Sequence, residues 1–76
     1  MKLTIIPSDG AVYVDGLCIS GLDFPYPKNV HAVQWDGEKG WIEFMSNAEF
    51  IKPQNEYIDE LPIWVVVAKQ KWSEAQ

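Results

Sequence analysis

The sequence predicts an α+β fold: a small antiparallel sheet of four to five short strands, organised as two hairpins, with one C-terminal helix. Three observations predict it. Asp15-Gly16 separates two β-prone runs, and that dipeptide is the strongest short hairpin signal, because both central residues of a type I′ turn need positive φ. Residues 30–44 place two further β-prone runs around the loop Asp36-Gly37-Glu38-Lys39, with Trp35 and Trp41 at its two sides. From Trp64 onward, apolar residues recur at steps of three and four, the spacing of one helix face.

In chain order, Leu3–Ile6 reads as a first strand, stopped by the turn cluster Pro7-Ser8-Asp9-Gly10. Ala11–Val14 and residues 17–20 are the arms of the Asp15-Gly16 hairpin. Residues 21–29 are excluded from regular structure by Pro25 and Pro27, which remove donors and hold the residues before them extended. Leu22, Phe24 and Tyr26 are expected to cover one edge of the core from that connection. The second hairpin must choose a register. Pairing Trp35 with Trp41 sets Val33 against Glu43, so the two strands disagree about which face is buried. Pairing Gln34 with Trp41 sets Val33 against Ile42, places Trp35, His31 and Phe44 on that same face, and leaves Gln34, Ala32, Trp41 and Glu43 on the other. A one-residue slip inverts every side chain, so the second register is expected. Residues 47–55 read as irregular, with a short extended piece at Phe50-Ile51 ended by Pro53. Asp59 is the expected N-cap of the helix, with Pro62 in the first turn. Trp64, Val67 or Ala68, Trp72 and Ala75 form its apolar side, and Lys69, Gln70, Lys71, Ser73 and Glu74 the other. The β-branched run Val65-Val66-Val67 favours a strand, but alternation is missing and the last residues are good helix formers.

Seventy-six residues make one domain, residues 1–76, with a small core. Four Trp, three Tyr and three Phe supply large buried areas or, where a ring faces outward, contact surface for a partner. The charge is −5, with all six cations lysine. Without arginine forks or a lysine cluster, nucleic-acid binding is not expected. Nucleic-acid mimicry is disfavoured as well, since this charge is an ordinary solubilising one. Cys18 is the single cysteine, so an internal disulfide and a cysteine-based zinc site are both excluded, and its bland reading is a small buried or half-buried hydrophobe. The opening apolar run is too short for a signal sequence or a membrane span, and synthesis in a reducing cytoplasm fits it.

No arrangement of nucleophile and base surrounds His31, which reads as a sheet histidine satisfied by a carboxylate. Asp9, Asp15, Asp23 and Asp36 follow turn chemistry and not the alternating spacing of a calcium loop. The glycines lack a phosphate-cradling pattern. Catalytic residues, cofactors and metals are therefore expected to be none. The candidates for partner binding are Trp41, Tyr57, Trp64 and Trp72. Trp64 and Trp72 also fit as core residues by their spacing. Tyr57 also fits as a half-buried ring with a wet hydroxyl, and Trp41 stands on the more polar face of its hairpin.

Taken together, Thr4-Ile5-Ile6-Pro7-Ser8-Asp9, Ala11-Val12-Tyr13-Val14-Asp15-Gly16, Gly21-Leu22-Asp23, Val30-His31-Ala32-Val33-Gln34-Trp35, Gly40-Trp41-Ile42-Glu43-Phe44 and Leu61-Pro62…Trp64…Trp72 resemble a group of small uncharacterised proteins of tailed bacteriophages and prophages, often encoded near tail and tail-fibre genes. The likeness runs over almost the whole chain. It departs at Val65-Val66-Val67, where polar helix residues are expected. The resemblance implies no transferable active site. It implies a small virion component of the tail or tail-fibre attachment region, made in the host cytoplasm and contacting other tail or fibre proteins or its own copies in a symmetric oligomer. The alternatives are an intracellular fibre-assembly helper and a small host-directed inhibitor.

Overall fold

A computed structural model describes all 76 residues. The strands are β1 (Leu3–Ile6), β2 (Ala11–Val14), β3 (Leu17–Ile19), β4 (Val30–Trp35), β5 (Gly40–Phe44) and β6 (Glu56–Ile58), followed by helix α1 (Ile63–Glu74). They form one antiparallel sheet in the order β3-β2-β1-β4-β5-β6. The α+β class and the two hairpins are as the sequence predicts, with one more strand than its upper count.

Side chains alternate across a strand, so the registers define two faces. Ile19, Val12, Ile5, Val33 and Ile42 stand in one cross-sheet row, with Val14, Leu3 and Trp35 in the next. Against this face α1 lays Val65, Ala68 and Trp72, all buried at steps of three and four. Val65, and not Trp64, holds the central seat of the helix; Trp64 and Val67 lie half-buried beside it, and Ala75 is an exposed C-cap. The valine run is helical because burial of Val65 outweighs the small propensity penalty of a β-branched residue.

The Asp15-Gly16 turn has both residues at positive φ, 49° and 87°. Pro7–Asp9 forms a short 3-10 turn ended by Gly10 at φ 60°. Gly10 packs directly under the Leu22 main chain, and the Leu22 N–H donates to the Gly10 carbonyl at 3.0 Å. Residues 21–29 hold no regular element; Phe24 is buried in the core, whereas Tyr26 is exposed, its ring 6.1 Å from that of Phe24.

The second hairpin adopts the Gln34–Trp41 register, with Val33 against Ile42. One of its consequences is corrected. Between Val30 and Ala32 the register shifts by one residue, because β4 bulges at His31. Val30 therefore takes the core position opposite Phe44, and His31 is turned to solvent. Ala32 is buried although it belongs to the other face.

Three corrections concern the segment before the helix. Phe50-Ile51 is a turn and not a strand: Asn47 Oδ1 accepts from the N–H groups of Glu49 and Ile51, and Phe50, at φ 63°, is 90 % exposed. Glu56–Ile58, where no strand is expected from the sequence, pairs with β5 as an edge strand. Asp59 does not cap α1. Pro62, at φ −57° and ψ 150°, is the N-cap residue, and its carbonyl receives the first helical N–H groups.

The β4–β5 turn is held by Asp36. Its Oδ1 accepts from the main-chain N–H of both Glu38 and Lys39 at 2.9 Å, while its own N–H donates to the Lys39 carbonyl. The bonds from Lys39 and then Glu38 lower the Asp36 pKa from its usual value. A lowered carboxyl pKa means that this stabilisation is complete above the unfolded value of about 3.9 and is lost as pH falls through the lower folded value. Thermal midpoints of wild type and Asp36→Ala are accordingly expected to differ at neutral pH and to converge in acid.

Candidate functional site

The face of the sheet opposite α1 carries its own cross-strand row: Cys18, Tyr13, Thr4, Gln34, Trp41 and Tyr57, one residue from each of the six strands. None of these six belongs to the hydrophobic core cluster. Thr4 Oγ1 donates to Gln34 Oε1 at 2.7 Å and ties the two central strands together. Tyr13 and Cys18 are cross-strand neighbours. The hydrogen bond to Cys18, and then the charge of its thiol when ionised, raise the Tyr13 pKa from its ordinary value. Cys18 is an exposed surface thiol and not the buried or half-buried hydrophobe expected of it; it occupies the solvent side of an edge strand.

On the other half of the row, the rings of Trp41 and Tyr57 meet at 6.4 Å between centroids and 54° between planes. That is the tilted geometry aromatic pairs favour. The Trp41 indole N–H donates to Glu43 Oε2 at 2.9 Å, which orients the ring along β5. A depression of about 520 Å³ opens beside the pair, lined by Asp36, Lys39, Gly40, Trp41, Tyr57, Ile58 and Asp59. A second, of about 250 Å³, lies toward Thr4 and Gln34 and is also bounded by Trp41.

Of the four partner-binding candidates, the fold brings two together. Trp41 and Tyr57 are adjacent and exposed, and Tyr57, at 78 %, is far more open than a half-buried ring. Trp64 and Trp72 are elsewhere. Trp72 is a core residue whose indole N–H donates to the Leu17 carbonyl at 2.9 Å, and Trp64 packs at the core margin. Their helical spacing already fitted that role. Tyr13 was not among the candidates, although the alternation in Ala11–Val14 sets it opposite Val12 and Val14. His31 is exposed near Phe44, Met45, Ser46 and Lys52, with no carboxylate lining the same depression.

An exposed ring contributes little to folding, so Tyr57→Ala is expected to change stability by no more than about 0.5 kcal/mol. Val33→Ala, in contrast, removes buried methyl groups from a fully buried site and is expected to cost about 2 kcal/mol or more. Urea denaturation of both variants checks the contrast.

No group of three or more His, Cys, Asp or Glu side chains is arranged to hold a metal ion, and no helix is long and apolar enough to cross a membrane. Compared with protein-family models, curated protein sequences and solved structures, the chain matches none.

Proposed function

We propose that this protein is non-enzymatic and acts through protein–protein contacts made by the ring-bearing face of its sheet. The observation that supports this reading is the exposure of Tyr13, Trp41 and Tyr57 on the one face that α1 leaves uncovered. Tyrosine and tryptophan are the residue types that carry most binding energy at interfaces, since each offers large rigid area at small entropic cost. Trp41 and Tyr57 are also placed where fold stability gains little from them. The resemblance of the sequence to small tailed-phage proteins supplies the setting: a small virion component of the tail or tail-fibre attachment region, with tail or fibre proteins as its partners.

Mass spectrometry of purified intact particles tests that setting. The chain is expected in the particle, and a Trp41→Ala/Tyr57→Ala variant that still folds is expected to be missing from it. Absence of the wild-type chain from intact virions overturns the virion role. Normal incorporation of the double variant overturns the role of the rings.

A further inference from the structure

The β6 edge bears a more specific partner chemistry than its rings alone. The Asp36 N–H donates to the Lys39 carbonyl, so these two residues form a bonded pair at the hairpin end. Antiparallel ladders alternate, which makes Trp35 and Gly40 a non-bonded pair and Gln34 and Trp41 a bonded one. The main-chain groups of Trp41 therefore face β4, and those of Gly40 and Ile42 face β6. Across that ladder Ile58 and Glu56 face back toward β5, so the N–H and C=O of Tyr57 point away from the sheet. At the opposite edge α1 approaches β3 through the Trp72 bond to the Leu17 carbonyl, and no comparable acidic stretch adjoins that strand.

We propose that β6 accepts an extended, lysine- or arginine-bearing segment of a partner protein as a seventh strand. This rests on the contact reading given above and names the partner's chemistry. The main chain of Tyr57 supplies the ladder bonds. Glu56, Asp59 and Glu60 stand on or just after the strand with no lysine among residues 55–60, and Asp36 and Asp59 border the depression at the Trp41–Tyr57 pair, where Lys39 is the one cation. A basic side chain from the added strand enters between ring faces and carboxylates, gaining both cation–π and ionic attraction. A second copy of this chain does not fit the same edge. Antiparallel pairing of two β6 strands sets this acidic stretch against itself, and like charges across a ladder repel. Charge on an edge strand commonly prevents self-pairing, and here its sign also selects the partner.

Selection from a random decapeptide library by messenger-RNA display on the immobilised chain tests this. Enriched peptides are expected to carry Lys or Arg at alternating positions. They are expected to bind Asp59→Lys about tenfold more weakly and Tyr57→Pro at least about fivefold more weakly. Proline is compatible with this position because the N–H it removes faces outward; circular dichroism verifies the fold, and Asp59→Lys, outside the strand, carries the test should Tyr57→Pro misfold. Enriched peptides without basic residues, basic peptides indifferent to both substitutions, or no enrichment at all overturn the proposal, as does a dimer of the wild-type chain that Tyr57→Pro dissolves. Enriched peptides that lack basic residues yet are lost in Trp41→Ala remove only this proposal and leave the contact role of the face standing.

Discussion

Gly40→Ala is expected to unfold the domain, or to lower its stability by about 3 kcal/mol or more. A methyl group on Gly40 falls on the Gln34 carbonyl oxygen and presses on the Gln34 carbonyl carbon and the Trp35 Cα, at 2.8 and 2.9 Å. All three are main-chain atoms of a strand hydrogen-bonded on both sides, so no rotamer change relieves the contact. Gly40 has no positive φ, and the effect is purely steric. Gly21 makes the complementary case: its φ is 74°, but a Cβ there meets nothing within 4 Å. Gly21→Ala is expected to lose only about 1–2 kcal/mol, the left-handed penalty alone. A chain of this size has roughly 4–11 kcal/mol of stability to lose. Urea midpoints of the two alanine variants separate the mechanisms; equal midpoints contradict the close strand approach at Gly40.

Trp72→Ala is expected to cost about 3–5 kcal/mol, the second largest effect. Trp72 joins three things: its ring fills the core, its backbone lies in the last turns of α1, and its indole N–H holds the Leu17 carbonyl on β3. Truncation leaves a cavity between helix and sheet and a free helix end. Trp72→Phe keeps most of the packing and loses the hydrogen bond, for about 1 kcal/mol. Thermal denaturation followed by circular dichroism orders the three proteins. A Trp72→Phe variant as unstable as Trp72→Ala contradicts packing as the main contribution.

Much of the architecture is legible from particular residues. Asp15-Gly16 determines the first hairpin through φ alone, and the second register follows from matching Val33 with Ile42. Other features depend on what lies far off in the chain. The bulge at His31 is one extra residue in β4 against β5, since Val30 meets Phe44 while Ala32 meets Glu43 and the middle stays in register. Strand β6 has three residues with acids around them, and its pairing derives from the free edge of β5 and not from propensity. The candidate surface divides the same way. Trp41 is legible because the register puts it opposite the core face. The meeting of Trp41 and Tyr57 is not, since it needs β6. The helix face is centred on Val65 and not on Trp64: Val65, Ala68 and Trp72 share the buried side, and Trp64 lies at its margin.

Photo-crosslinking probes most directly the proposal that the uncovered ring row serves a partner and not the fold. A photoreactive phenylalanine analogue is placed at position 57 or, as a reference, at exposed position 70 on α1, in cells producing the protein with its natural neighbours. One discrete adduct to another protein is expected from position 57 and none from position 70. No adduct from position 57, or the same adducts from both positions, contradicts partner contact through the ring row.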